Sequence, residues 1–548
     1  MGIEPSVTTE VQGSGAAPES STSITEPAGT WQRVCPWLAV VVSAVLVTVC
    51  FPRYNLGWLA WIAYAPLFWA IGRARRPRSA AGMAYVFGVI HFAALTPWIG
   101  VTVNAWSGTR LGWIAWVLLA VIQGLWFALF GWLAWWVRRR TGGDARLILT
   151  ACAWTFVEYL RTLGALAMPW GLAAYTQYRA ATLIQISDIT GAFGVSFVIA
   201  LVNAGLAELL SVAPAAESER RRRSVIRLGR IQADIGVLVL PCLFYAGLLS
   251  YGSLTVGLPW GGRPVVVAAV QTNIPSIGPQ PPRSIHLGRL STAVDSVVKD
   301  APSLTIWPES AAPGDVARDL DLRAVFGAFA QRTTGYHLVG TSCKGEDGRE
   351  RNSAALFAPD EGLVGRYDKQ QLVPFGEWVP ARWLFRPFAA AFRIPEEDLA
   401  SGGVQEPLTA REMKLGVLIC YESIFPALSR DRVRRGANLL VSITNDSWAG
   451  DSASPQQHFA MTLFRAVETR RSVCASGLTG VTALIAPNGR TMVAEENVPA
   501  VVSDLVYLRQ GLTPYVRWGD WLPWLCAVLV AYGLWKGSPQ SEEPSRTG

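Results

Sequence analysis

Three reactive side chains stand where short apolar segments of the sequence end. Glu309 follows Ser303–Trp307, Lys369 follows a predicted hairpin, and Cys420 closes an apolar run that begins at Lys414. A thiol at a turn from a strand into a helix is exposed on one side and lies near a helix amino terminus, which favours the thiolate. A nearby carboxylate can act as general base, and an ammonium can stabilise a developing oxyanion. Together these three groups can carry out acyl transfer through a thioester.

The histidines around these residues do not indicate another chemistry. His286, His337 and His458 are spaced too irregularly for a zinc site, and nothing in the spacing favours a Cys–His pair. The sequence therefore predicts no metal site.

The segment that must position the reactive groups, residues 263–505, alternates short apolar strands with helices. Such alternation is typical of a layered α/β fold. The predicted strands are Val265–Val270, Ser303–Trp307, His337–Thr341, Asn352–Phe357, Leu363–Tyr367, Lys414–Cys420 and Leu439–Thr444. The predicted helices span about 286–300, 318–333, 423–435 and 455–470.

The rest of the chain has the composition of a membrane protein. Of the 548 residues, 51% are apolar and 16% are charged, whereas a soluble domain has about 25% charged residues. Seven apolar stretches precede the α/β segment and an eighth follows it, each close to the roughly 20 residues that cross a bilayer. They span about 34–51, 55–72, 80–102, 111–137, 147–171, 182–212, 231–253 and 519–536. We therefore predict a polytopic α-helical membrane protein with eight spans, with residues 31–258 forming the first seven-helix part.

The arginines indicate how these spans are oriented. Clusters of arginine follow the second, fourth and sixth apolar stretches, whereas the other loops carry single arginines. The clusters are Arg73, Arg75, Arg76 and Arg78; Arg138, Arg139, Arg140 and Arg146; and Arg220–Arg223, Arg227 and Arg230. The positive-inside rule then places both termini in the cytoplasm and the α/β segment outside. The net charge of +8 is thus a topology signal and does not favour nucleic-acid binding.

Two terminal segments are predicted to lie outside the folded parts. Residues 1–30 are polar and lack the basic and apolar regions of a signal peptide, so they are interpreted as a disordered cytoplasmic tail. Residues 537–548 form the second cytoplasmic tail.

Some predicted spans contain costly polar groups. Glu158 and Arg161 are three residues apart, share a helix face and can pair, and Asp188 is a third such group. These groups either face a substrate or tie helices together, and the sequence leaves both interpretations open.

Several motifs resemble a known family. Trp307-Pro308-Glu309-Ser310, the run Lys369–Glu377 and Cys420-Tyr421-Glu422-Ser423 resemble the nitrilase (carbon–nitrogen hydrolase) superfamily. Thr444–Trp448 and Gln456–Phe459 are similar to its membrane-bound apolipoprotein N-acyltransferase branch. In the apolar part, the matching positions are Met168-Pro169-Trp170, Gln177, Gln185, Asp188, Gly191, Gly194, Ser196 and Asn203. The resemblance covers roughly residues 35–536. It departs at 276–283, where a tryptophan common in the family is missing.

The resemblance implies a fold and a reaction. It implies an extracytoplasmic αββα sandwich whose catalytic triad is Glu309, Lys369 and Cys420. The family transfers an acyl chain from a phospholipid to the α-amine of the diacylglyceryl-cysteine that begins an apolipoprotein. The implied partners are therefore a phospholipid donor and apolipoprotein acceptors at the inner membrane of a bacterium. No cofactor is implied because the thioester stores the acyl group, and a monomer is expected.

Further site residues follow from the same resemblance. Glu377 and Glu422 are expected to hold Lys369 and to tune Glu309. The weaker matches are Asn352, Tyr421, Asn445 and Trp448.

The segment after Glu377 predicts a contact with lipid. Aromatic and leucine side chains alternate with arginines from Arg382 to Arg393, as in segments that lie at an anionic lipid interface. The apolar members are Trp383, Leu384, Phe385, Phe388 and Phe392. We predict a mobile lid at the outer leaflet, and the alternative is a loop packed on the domain.

Other functions remain open at this point. A membrane-tethered amidase or nitrilase acting on a small amide would share the triad, and a transporter or receptor with an inert outer domain would not need it. Outside the cytoplasm, Cys343 with Cys474 is the one disulfide in this domain that would spare Cys420.

Overall fold

The computed structural model describes residues 2, 30–212, 236–259, 261–274, 280–389 and 396–537. Most of the two predicted tails, the arginines at 220–223, Phe392 and the side chain of Phe388 lie outside this description.

An apolar helical part precedes and follows the α/β part. Its helices are α1 (Thr30–Val49), α2 (Ala60–Ala63), α3 (Ala65–Arg73), α4 (Pro77–Leu95), α5 (Trp98–Ser107), α6 (Gly112–Arg140), α7 (Gly143–Leu160), α8 (Ser187–Thr190), α9 (Ala192–Val212), α10 (Val239–Val256) and, near the carboxyl end, α17 (Trp521–Lys536). Among the described residues, four helices are long and apolar enough to cross a membrane, namely α4, α6, α9 and α10. Val34–Val49 and Trp521–Lys536 form shorter apolar helices.

The predicted fifth and sixth spans, 147–171 and 182–212, are wrong as continuous helices. Helix α7 ends at Leu160, and regular helix resumes only at α8. The apolar composition is the same in helix and loop, so composition did not reveal the break. Between α8 and α9, Gly191 has φ +66°, and a Cβ there would lie 2.5 Å from the Tyr515 ring. This turn therefore requires glycine.

Polar side chains of α7 hold the irregular segment that follows it. Glu158 Oε1 accepts a 2.7 Å hydrogen bond from the backbone N–H of Ala173. The Arg161 guanidinium donates to the carbonyl of Trp170 and to Gln123 Oε1. The predicted Glu158–Arg161 pair is therefore replaced by bonds from each residue to neighbouring chain. Backbone that leaves a helix within a membrane must find such partners, because no water is available there.

The α/β part consists of two six-stranded sheets. The first has the order β12-β1-β2-β3-β4-β5 and the second β11-β10-β9-β8-β7-β6. The strands are β1 (Arg263–Gln271), β2 (Leu304–Ile306), β3 (Tyr336–Lys344), β4 (Glu350–Ala358), β5 (Gly362–Asp368), β6 (Leu408–Ala410), β7 (Met413–Ile419), β8 (Leu439–Thr444), β9 (Val473–Gly477), β10 (Ala483–Ile485), β11 (Thr491–Val493) and β12 (Ala500–Leu508). The helices are α11 (Arg283–Val297), α12 (Leu320–Thr333), α13 (Arg382–Phe385), α14 (Pro426–Arg434), α15 (Ser454–Thr469) and α16 (Pro514–Trp518).

The layers follow from which faces are apolar. Val267 and Leu338 of the first sheet share one core with Val417 and Val441 of the second. Leu290 of α11 and Phe326 of α12 pack on the outer face of the first sheet. Helices α14 and α15 cover the second sheet. The result is the expected helix–sheet–sheet–helix sandwich, and the seven strands predicted from sequence are confirmed to within three residues at each end.

Helix α15 joins this sandwich to the apolar helices. Its residues Met461 and Phe464 belong to the same buried core as Trp170 and Tyr175 of the helical part. Beside them, Asp188 accepts hydrogen bonds from Arg470 (2.7 Å) and from Tyr251 (2.9 Å). Asp188 therefore ties the two parts together. Cys343 and Cys474 do not form a disulfide, and both are buried free thiols.

Candidate functional site

Cys420 occupies a strained turn at the end of β7. Its φ is +51°, an unusual value for a residue other than glycine and one that recurs at functional sites. Burial, together with the negative charge of Glu309, raises the pKa of the thiol well above its ordinary value, although Lys369 opposes the shift. Burial and the Glu309 carboxylate therefore oppose the expectation that the turn favours a thiolate. The thiol needs a base.

Glu309, the predicted base, lies beyond the end of β2 and is buried. Its Oε1 accepts a 2.7 Å hydrogen bond from Asn352 Nδ2 and lies 3.6 Å from Lys369 Nζ. Burial raises the pKa of Glu309, and Glu377 raises it further, while Lys369, Asn352 and the Cys420 thiol lower it. The carboxylate is therefore within hydrogen-bonding reach of the thiol and can accept its proton.

Lys369 follows β5 and is 1% exposed at its side chain. Its Nζ donates to Glu377 Oε1 at 2.8 Å, and Asn352 donates to the same oxygen at 2.9 Å. Burial lowers the pKa of Lys369, but Glu377 and Glu309 raise it more, so the net pKa lies above the ordinary value. The ammonium stays charged and is fixed beside Cys420. Glu377 therefore does contact Lys369, as the sequence predicted.

Glu422 lies two residues after Cys420 but faces a different way. Its Oε1 accepts hydrogen bonds from Tyr367 Oη (2.8 Å) and from the backbone N–H groups of Gln370 (2.7 Å) and Gln371 (3.1 Å). Its Oε2 accepts one from the backbone of Ile419 at 2.7 Å. These bonds join the chain before Cys420 to the chain after Lys369. The expectation that Glu422 holds Lys369 is met only indirectly, through the backbone.

A buried histidine that sequence reasoning had discounted holds the nucleophile turn. His458 Nε2 lies 3.1 Å from the carbonyl oxygen of Cys420 and 2.7 Å from Ser423 Oγ. Its Nδ1 lies 3.4 Å from Asp446 Oδ1. A carbonyl only accepts, so this contact is a hydrogen bond when Nε2 carries a proton. The spacing of histidines along the sequence cannot reveal this role, since the partner is a backbone atom.

The weaker sequence matches lie around this turn. The phenol of Tyr421 donates a 2.8 Å hydrogen bond to the carbonyl of Ala167 in the helical part. Asn445 Oδ1 accepts from the backbone and hydroxyl of Ser447, which shapes the loop after β8. The Trp448 ring packs 5.6 Å from that of Trp98. These residues therefore line or support the boundary between the two parts.

Gln457, next to His458, was given no role from the sequence beyond its motif. Its Oε1 accepts from the indole N–H groups of Trp98 (3.3 Å) and Trp170 (2.7 Å). Its Nε2 donates to the carbonyls of Pro52 (3.0 Å) and Leu95 (3.1 Å). One buried amide thus joins three separate segments of the helical part to α15.

The predicted lid begins after the site. Trp383 and Leu384 of α13 are 78% and 53% exposed, whereas the Phe385 ring packs 5.1 Å from Phe375. Arg382 is anchored to Asp398. The segment therefore presents two large apolar side chains outward beside the loop that carries Glu377.

The comparisons with known proteins cover both parts of the chain. Residues 43–205 match the apolipoprotein N-acyltransferase N-terminal domain, and residues 266–502 match the carbon–nitrogen hydrolase family. A curated apolipoprotein N-acyltransferase from Geobacter metallireducens is 35% identical over 90% of this chain and 94% of its own length. Those from Azotobacter vinelandii (30%, covering 92% and 96%) and Pseudomonas putida (31%, covering 91% and 96%) are similar. The chain belongs to the apolipoprotein N-acyltransferase family.

Proposed function

We propose that this protein transfers an acyl chain from a phospholipid to the α-amine of an apolipoprotein's diacylglyceryl-cysteine. The observation that carries the proposal is the arrangement of Cys420 in a strained turn with Glu309 and Lys369 buried beside it. The relatives that cover nine-tenths of the chain are named for this activity.

The first half-reaction forms a thioester on Cys420. Glu309 takes the thiol proton as Sγ attacks the ester carbonyl of the phospholipid. Lys369 and the backbone N–H of Tyr421 stabilise the oxyanion. When the intermediate collapses, the ester C–O bond breaks, and Glu309 returns the proton to the departing lysophospholipid oxygen. The raised pKa of Glu309 suits both duties, because it brings the carboxyl closer to the working pH.

The second half-reaction consumes the thioester. The neutral α-amine of the acceptor attacks the thioester carbonyl, and Glu309 accepts one proton from its nitrogen. Collapse of this intermediate forms the amide and breaks the C–S bond, and the Cys420 thiolate recovers the proton from Glu309. The enzyme returns to its starting state, and the transfer follows ping-pong kinetics with no external cofactor.

The chain is proposed to act at the outer face of a bacterial inner membrane as a monomer. Eight crossings, cytoplasmic termini and an extracytoplasmic sandwich account for the arginine clusters at Arg73–Arg78 and Arg138–Arg146. In this arrangement the outward-facing side chains of Trp383 and Leu384 meet the outer leaflet.

These two side chains are proposed to form part of a lid that admits acyl chains. Replacing both by serine (Trp383→Ser, Leu384→Ser) should slow acyl-enzyme formation with phospholipid vesicles and leave the melting temperature unchanged. Thioester formation with a short, water-soluble ester serves as control and should keep its rate. An unchanged rate with vesicles would refute the lid.

The alternative is a membrane-tethered amidase that hydrolyses a small amide through the same triad. The discriminating experiment incubates the purified full-length protein with phospholipid carrying a labelled acyl chain and examines Cys420 by mass spectrometry. We expect one acyl adduct, which a diacylated lipopeptide discharges as its N-acyl product. The matched controls are Cys420→Ala and Cys474→Ala, since Cys474 is also a buried thiol.

The outcomes separate the two functions. An adduct that persists in Cys420→Ala would refute the mechanism. An adduct that water discharges as fast as the lipopeptide does would favour the hydrolase.

A further inference from the structure

A cleft lies among helices α3, α6, α7 and α9, at the end of the helical part opposite to the sandwich. Its floor is apolar and includes Phe68, Phe130, Leu147 and Ala204, while its rim carries arginines. The other end of α6 begins beside α5, whose Trp106 packs near Trp448. At 1.5 Å per residue, the 29 residues of α6 separate the two ends by about 40 Å. The cleft is therefore remote from Cys420.

The rim of the cleft has an excess of positive charge. Arg138 and Arg146 share a single carboxylate, Glu208, to which Arg138 is paired and from which Arg146 Nη1 lies 3.3 Å. Each guanidinium has five N–H donors, whereas a carboxylate offers about four acceptor positions. Glu208 thus cannot saturate both cations or neutralise both charges. The two arginine side chains remain 29% and 19% exposed, so an outside anion can reach them.

The surroundings place this charge at a lipid headgroup level. Further arginines lie on indole rings around the same ends of α3 and α6. These pairs are Arg73 over Trp69 (5.2 Å), Arg139 over Trp135 (5.3 Å) and Arg140 over Trp136 (5.1 Å). Tryptophan and arginine at the end of an apolar helix are typical of the membrane interface. A position at the membrane interface is enough to explain these arginine–indole pairs.

The cleft is shallow because its floor is already packed. Phe130 is 0% and Leu147 is 1% exposed. Gly72 lies against Arg138, and a Cβ there would come within 3.1 Å of the guanidinium carbon. A lipid phosphate can therefore contact the arginines at the rim while its acyl chains stay in the bilayer beside the helices.

We propose that this cleft binds one anionic phospholipid of the inner leaflet. Its phosphodiester would accept hydrogen bonds from Arg138 and Arg146, while its acyl chains stay in the bilayer beside the helices. The proposal rests on α6 and α9 crossing the bilayer and is independent of the acyl-transfer chemistry. A lipid here is not placed to serve as acyl donor, because the length of α6, about 40 Å, separates the cleft from the end of the helical part that adjoins the sandwich.

The test measures lipid retention by native mass spectrometry on the full-length protein released from detergent. The protein is first equilibrated with phosphatidylglycerol or, separately, with phosphatidylcholine. We expect one phosphatidylglycerol per chain and several-fold less phosphatidylcholine. Since one basic group near an anionic lipid surface contributes about 1 kcal/mol, a factor of about five, Arg146→Gln should weaken retention about fivefold and Arg138→Gln/Arg146→Gln about 25-fold. Arg110→Gln removes the same charge at the other end of α6 and should change nothing.

A variant that should bind more lipid distinguishes loss of the binding site from loss of the fold. Glu208→Gln frees both guanidinium groups from their carboxylate and should strengthen phosphatidylglycerol retention severalfold. Equal retention of the two lipids, or unchanged retention in Arg138→Gln/Arg146→Gln, would overturn the proposal. Displacement of the lipid by millimolar inorganic phosphate would also overturn it, since the site would then be one for free phosphate.

Discussion

Two buried glutamates lie on either side of Cys420 and have opposite surroundings. Glu422 accepts four hydrogen bonds, three of them from backbone N–H groups, so both its oxygens are occupied. Glu309 accepts from Asn352, lies 3.6 Å from Lys369 and is within hydrogen-bonding reach of the thiol. Burial raises the pKa of both carboxyls. Burial alone therefore does not distinguish a base from a structural carboxylate.

The difference lies in what each oxygen can still accept. Both oxygens of Glu422 already accept hydrogen bonds, so a travelling proton would have to compete with donors that are held in place. Glu309 faces other side chains that exchange protons or carry charge, whereas Glu422 faces the rigid backbone at Ile419 and Gln370. We infer that Glu309 performs chemistry and that Glu422 fixes the two chain segments that carry Cys420 and Lys369.

The largest expected effect is that of Glu309→Gln. Glutamine keeps the shape and the bond to Asn352 but cannot take the thiol proton, so acyl-enzyme formation should fall about 10²–10⁴-fold. The melting temperature should stay the same or rise, because a costly buried charge is removed. Stopped-flow acylation and calorimetry measure the two quantities. A wild-type rate would remove Glu309 from the proposed mechanism.

Glu422→Ala should mainly lower the stability of the protein, whereas Glu309→Gln should mainly lower the rate of acylation. Glu422→Ala leaves several buried donors without an acceptor, at a cost of about 1–3 kcal/mol each, so the protein should lose about 3 kcal/mol or more of stability. Thermal unfolding in detergent measures this loss. Glu422→Gln is the matched control, since its one remaining carbonyl oxygen should recover part of it. A variant that stays fully stable yet inactive would show that Glu422, too, takes part in the chemistry.

His458→Ala should have a smaller effect on rate. The imidazole holds the carbonyl of Cys420 and does not touch the thiol, so we expect kcat to fall about tenfold while KM for the lipopeptide is unchanged, because one hydrogen bond contributes about 1 kcal/mol or slightly more. His458→Asn can restore a donor and should recover part of kcat. A change in KM alone would contradict a positioning role.

Asn352→Leu should have the smallest of these effects, a shift in the pH profile of acylation. The bond from Asn352 lowers the pKa of Glu309, so its loss raises that pKa. The carboxylate is the active form, and acylation is lost as pH falls through this pKa. The acid limb of the acylation rate should therefore lie above the ordinary range of glutamate in the wild type and move to still higher pH in the variant. A shift toward lower pH would refute the assignment of the base.

The layered α/β fold was accessible to sequence reasoning because it follows from local patterns, and the sandwich and the triad were implied by the family resemblance. Val265–Val270 is a continuous apolar run and Leu439–Thr444 is mostly apolar, and parallel strands bring their ends to one edge. The partners of Gln457 were not accessible, since two are carbonyls about 400 residues away and the sequence does not encode carbonyl positions. The break after Leu160 was missed for a related reason. The polar groups that stabilise it, Glu158 and Arg161, looked like a pair within one helix.

The amide of Gln457 makes the two parts of the chain inseparable. A fragment that began at Arg263 would leave this amide, the phenol of Tyr421 and the apolar side of α15 without their partners. The turn that carries Cys420 would then lose the bond of Tyr421 to Ala167, and α15, from which His458 holds this turn, would lose the bonds of Gln457. We therefore infer that the geometry of this turn depends on both parts of the chain. The proposed acylation of Cys420 would then be possible only once both parts are assembled.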